Sequence, residues 1–161
     1  MTPEQSLAGT ALASWKMNLE RAEKLFSGLS DQQLQAEIAP GKNRLIYLYG
    51  HLIAVHDAML PMLGIGPRLH PELDAPFLTE ADRKVAPLPS AAELQRLWNE
   101  VHGKLHDGFS RFTPADWVQK HTVVSADDFA ANPLRNRLAV LLNRTAHVAN
   151  HLGQALLAGQ A

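Results

Sequence analysis

Apolar residues recur at alternating steps of three and four in four separate stretches of this 161-residue chain, and no stretch carries the pattern of a strand. A helix turns once in 3.6 residues, so this spacing lines one face with apolar side chains and leaves the other polar. The chain is therefore predicted to be all-α. The first stretch carries Ala8, Leu12, Trp15, Leu19, Ala22 and Phe26, and runs toward Gly28. Thr2, Pro3 and Gln5 open it as a capping box with proline at the first helical position. The second spans Asn43 to Leu63, with Asn43 as the expected cap, Leu45, Leu48, Tyr49, Leu52, Val55, Met59 and Leu63 on its apolar side, and Pro61 bending or ending it. The third follows the capping pair Ser90 and Glu93 and carries Leu94, Leu97, Trp98, Val101, Leu105, Phe109 and Phe112. The last is expected to start at Asn132 and Pro133 and to end near Gly159. Its expected core stripe is Leu138, Leu141, Leu142, Thr145, Val148, Leu152 and Leu156.

Two shorter capped turns are expected, at Ser30 to Leu34 and at Thr113 and Pro114. The segment from Gly64 to Pro89 is rich in glycine and proline and aperiodic, which predicts a long connection crossing the molecule, of the kind that often covers a site. Four long helices with two substantial connections predict a four-helix bundle. A hydrophobic content of 46% over this length suits one core, hence a single domain over residues 1–161.

Fifteen basic residues against sixteen acidic ones leave a formal net charge of -1, so no overall positive field exists to gather phosphate backbones or anionic lipid. Nucleic acid and membrane surfaces are excluded as expected partners. The N-terminus has neither a basic region nor an apolar signal run, and no apolar stretch would span a bilayer, so a cytoplasmic protein is expected. The chain has no cysteine, which removes disulfides, thiolate ligands and a thiol nucleophile of its own. Any metal must be held by His, Asp or Glu.

His147 and His151 stand four apart on the last predicted helix, so both imidazoles leave one face about a turn apart and can grip one cation. His51, at the edge of the second helix's apolar stripe beside Val55 and Met62, is the candidate third ligand. His56 lies nearer the middle of that stripe and is expected to be a buried, hydrogen-bonded core residue. His102 and His106 flank the third stripe and are expected in solvent. One geometric point stands against the pair. On a helical wheel His147 and His151 lie roughly 140° from the centre of the last helix's stripe, sharing a face with Val140, Arg144 and Gln154. Either the stripe faces the core and the histidines face a polar cleft or solvent, or the stripe is partly a dimer interface and the histidines point inward. His147-Val-Ala-Asn-His151 lacks the glutamate of a zinc protease helix, and no Glu has a His three residues later, which removes the zincins and the carboxylate-bridged di-iron bundles.

Tyr49-Gly50-His51-Leu52 on the second helix and His147-Val-Ala-Asn-His151-Leu-Gly-Gln154 on the last resemble motifs of the DinB-like superfamily, as does the order of elements over nearly the whole chain. The resemblance implies an up-up-down-down four-helix bundle with a long crossing loop, commonly a homodimer, holding one divalent metal ion, zinc or nickel, through His51, His147 and His151. It also implies a small-molecule thiol and an electrophile as partners, since characterised members include thiol transferases using bacillithiol or mycothiol. Three neutral imidazoles leave coordination positions open, as in a catalytic rather than a closed structural site. Arg144, one turn before His147, is a candidate to hold a substrate carboxylate or else a solvated arginine, and Gln154 a candidate to orient a ligand from behind. No catalytic acid or base is assigned. A non-catalytic metal-binding or stress-response module is the alternative. Metal-dependent hydrolysis ranks below both, because no Glu or Asp sits on the right faces.

Overall fold

The computed structural model describes residues 1–158. Seven α-helices follow one another: α1 (Pro3–Phe26), α2 (Leu45–Asp57), α3 (Met59–Met62), α4 (Ala91–Phe109), α5 (Pro114–Trp117), α6 (Ala126–Ala131) and α7 (Arg137–Leu157). Among the described residues there is no strand, only two isolated bridges, Glu37 with Arg44 and Lys120 with Asn136. No helix is long and apolar enough to cross a membrane.

The expected capping box opens α1, with Thr2 accepting from the Gln5 amide and Gln5 reaching back to the Thr2 amide. Such a cap is worth about 1 kcal/mol. α2 lies at the centre, packed on α4 and α7, while α1 packs along α7. With neighbours on most sides, α2 buries Leu45, Leu48, Tyr49, Leu52 and Val55, and also Ile46, Ile53, Ala54, His56 and Asp57. Its start differs from expectation: Arg44, not Asn43, is the cap residue, and no side chain caps the helix. Asp82 fixes this end instead, accepting from the Arg44 amide at 2.9 Å and from its guanidinium at 2.7 Å. The helix breaks at Ala58 and resumes as α3, where Pro61 has no amide hydrogen for the Asp57 carbonyl.

The 64–89 connection is ordered by its own contacts. The fully buried Asp57 carboxylate accepts from Arg68 Nε at 2.9 Å and from the amides of Leu69 and His70 at 2.8 and 3.0 Å. A 3-10 turn at Pro71–Leu73 and a π-helical turn at Ala75–Thr79 follow, burying Leu73 and Phe77. A Cβ on Gly50 would overlap the Phe77 ring, so the glycine of the Tyr49-Gly50-His51 motif is what lets this turn lie against α2.

Four further features depart from expectation. The capping pair before α4 is half made: Ser90 accepts from the Glu93 amide, but the Glu93 carboxylate pairs with Arg96. α6, capped by Ser125, buries no residue and so has no stripe to mark it in the sequence. α7 begins at Arg137 under Asn136, whose side chain accepts from the Ala139 amide at 2.9 Å. Asn132 instead ends α6, and its side chain accepts from Leu134 in a tight turn. The α7 stripe is also rotated from the expected one. Val140, Leu141, Thr145, Val148 and Ala155 are buried, whereas Leu142 and Leu156 are about half exposed, at 50% and 54%.

Candidate metal centre

That rotation turns the histidine face of α7 inward, toward α2. His51 Nε2 and His147 Nε2 stand 3.2 Å apart, and His151 Nε2 and His147 Nε2 3.0 Å apart, with one ligand atom from each of the three rings within 4.8 Å of the others. Two nitrogens bound to one cation at about 2.1 Å are separated by roughly 3.0 to 3.4 Å for ligand angles between about 90° and 110°. The spacing therefore fits a shared ion, and these three histidines can hold a metal.

Two of the rings are oriented from behind. His51 Nδ1 lies 2.8 Å from the Phe77 carbonyl oxygen, which can only accept, so Nδ1 carries the hydrogen and Nε2 keeps its lone pair. His151 Nδ1 lies 2.7 Å from Gln154 Oε1, and donation to that oxygen leaves its Nε2 bare in the same way. With His51 and His151 presenting bare Nε2 atoms, only His147 could donate within the cluster, and its single Nε2 hydrogen cannot satisfy both neighbours in full. A bound cation resolves that arrangement.

The electrostatics favour the ligand-competent form. Burial pushes His51 below its ordinary value, only partly opposed by the bond to Phe77. Burial, and then the nearby His151, His51 and Arg144, push His147 down to about 4. Burial likewise lowers His151 against the opposing bond from Gln154. Neutral rings at pH 7 are what a cation needs.

Gln154 thus sits where the sequence placed it, behind a candidate ligand. Arg144 is half-buried near the cluster rather than solvated. His56 is the expected core histidine, its Nδ1 2.8 Å from His102 Nε2, but its own Nε2 is buried without a partner. The expectation for His102 fails. Its ring packs at 3.9 Å between centroids on Trp98, its Nδ1 donates to the Trp98 carbonyl, and burial lowers it to about 4. Trp98 on α4 and Trp15, facing it from α1, together enclose a residue at the margin of the α4 stripe. His106 is exposed, as expected.

Two recesses adjoin the cluster. One, of about 370 Å³, is lined by Met62, His121, Val140, Asn143, Arg144 and His147. The other, of about 220 Å³, is lined by Asn43, Tyr47, Leu48, His51 and His151. Larger recesses elsewhere, such as one of about 480 Å³ beside Arg44 and Arg83, touch none of the three histidines. His121, from the segment between α5 and α6, was not singled out by sequence. It stands in an aperiodic stretch and reaches the recess because the next residue, Thr122, donates its amide to the Met62 carbonyl at 2.9 Å.

No curated protein matches the chain. The family model of the DinB superfamily matches residues 14–155, a span that reaches from α1 to α7 and includes all three converging histidines. The chain belongs to the DinB superfamily.

Proposed function

We propose that this protein is a metal-dependent enzyme that transfers a low-molecular-weight thiol to an electrophile at a His51–His147–His151 centre holding one zinc or nickel ion. The observation that carries the reading is the convergence of three neutral Nε2 atoms, two of them backed by hydrogen-bond acceptors, with no carboxylate in the cluster. A divalent cation held there lowers the pKa of a thiol bound beside it, so thiolate is available at neutral pH. The protein's share is to fix the rings, His51 through the Phe77 carbonyl of the 64–89 connection, and to offer two recesses that reach the cluster. Two recesses suit a reaction that joins two molecules. In the transfer the thiol gives its proton to solvent, its sulfur forms a bond to the electrophilic carbon, and the leaving group departs with its electron pair. Among the described residues no carboxylate joins the three rings, which disfavours hydrolysis, a reaction that needs a general base.

We further read the four long helices as the up-up-down-down bundle of the family, in a single cytoplasmic domain that pairs as a homodimer. Elemental analysis of untagged protein should find about one zinc or nickel per chain, and His147→Ala should lose it with an unchanged helical spectrum. Metal-loaded protein should then conjugate a bacillithiol-like thiol to monochlorobimane. A rate no greater than that of buffer with free metal would rule out the transferase reading for that thiol.

A further inference from the structure

We infer that the recess between α3 and α7 is an anion site in which Arg144 and His121 hold the carboxylate of a small substrate beside His147. This rests on the metal-centre reading for its role in the reaction, though not for binding itself. Four arginines are partly buried among the described residues. Arg44 grips Asp82, Arg68 grips Asp57 and Asp74, and Arg137 lies over the Phe112 ring and donates to the Asp116 carbonyl. Arg144 alone of the four has no ion pair or hydrogen bond to any described residue, and its Nε is buried without a partner. A half-buried cation without a counter-charge leaves its Nε unsatisfied and its charge partly desolvated, and a guanidinium is not relieved by losing its proton near neutral pH.

The lining of the recess offers nothing to balance it. Met62, His121, Asn143 and His147 contribute no carboxylate. His121 lines the same recess, and its Nδ1 is likewise buried without a partner, so a second polar side chain of the lining has an unsatisfied ring nitrogen. A cation on His147 and its neighbours would add two further positive charges a turn of helix away from Arg144. Among the described residues no carboxylate balances the site, and an anion supplied from outside would neutralise it. The planar guanidinium matches a carboxylate through paired hydrogen bonds, and about 370 Å³ admits a molecule of a few carbons.

The carboxylate can arrive on the thiol or on the electrophile, and the shared chemistry is tested first. Propionate is titrated into metal-free, isotope-labelled protein, so that coordination to a metal plays no part. The Arg144 Nε–H and His121 ring resonances should shift saturably with propionate and not with propionamide. In Arg144→Gln the His121 response should vanish, and in Arg144→Lys it should survive at reduced affinity, both with an unchanged helical spectrum. A flat titration, an equal response to propionamide, or a His121 shift that persists in Arg144→Gln would overturn the site.

In zinc-loaded protein, Arg144→Gln should raise KM about tenfold for 3-mercaptopropionate but not 2-mercaptoethanol if the thiol carries the carboxylate. If the electrophile carries it, the same rise should appear for iodoacetate but not iodoacetamide. Turnover with neither KM altered would overturn the substrate assignment. Intact propionate binding in a protein without turnover would support the anion site and count against thiol transfer.

Discussion

Gln154 shows how a single side chain sets the chemistry of another. By accepting from His151 Nδ1 at 2.7 Å it commits that ring to present its Nε2 lone pair to the cluster. Removing such an outer partner typically costs 10- to 100-fold in metal affinity, so Gln154→Ala should weaken zinc binding by about that factor in competition with a chromophoric chelator, while Gln154→Glu should retain it. The pair His56 and His102 makes a different prediction. Both are held neutral by burial, His102 at about 4, whereas the unfolded chain takes up those protons near 6.5. Their depressed values favour the folded state above about pH 6.5, and that contribution is lost as pH falls through 6.5 toward 4. The urea midpoint of the metal-free protein should drop across that window, and a midpoint constant from pH 7 to 4.5 would contradict the assignment. At this scale helical spacing and family motifs were enough to mark His51, His147 and His151 as residues that the fold brings together, with Gln154 beside them. It misjudged His102, whose burial comes from the breadth of two neighbouring tryptophans.

Among the elements, α2 and the turn of the 64–89 connection that packs on it act as one piece. Gly50 leaves room for Phe77, and Phe77 in turn delivers its carbonyl to His51. Gly50→Ala gains helix propensity but forces the ring away. It should cost about 1 to 3 kcal/mol in stability and weaken metal binding as well. Gly153→Ala on α7, where a Cβ meets nothing within 4 Å, should be neutral or stabilising by up to about 1 kcal/mol, which makes it the control in the same melts. The helices with strong apolar stripes, α1 and α4, were legible from spacing alone. α7 was harder, because its leucines drew the expected stripe toward Leu142 and Leu156 while smaller residues, Val140, Val148 and Ala155, make the buried face. A period argument weighs large apolar side chains most, and here several of them lie outside.

For the whole molecule those outward leucines have a consequence. Leu142 and Leu156 put apolar surface on the outer side of α7, opposite the histidines, and a homodimer would cover it. Light scattering should give about twice 17.7 kDa for the wild type, and Leu142→Glu with Leu156→Glu should return the mass of one chain without loss of metal. Sequence posed this as a choice between two faces of one helix; packing of α7 on α2 and α1 decides which face turns inward, a matter of long-range contacts that local spacing does not contain.

The Phe77 carbonyl belongs to the backbone of a connection rather than to a helix, yet it holds a candidate ligand in its working tautomer. Detachment of the 64–89 segment from α2 and loss of an ion held by His51 would thus be coupled equilibria. By reciprocity, ion binding should protect that segment against opening, read by amide exchange, by the same free energy by which an attached segment tightens ion binding. A protease cutting there would act as a metal-releasing agent without touching a single histidine.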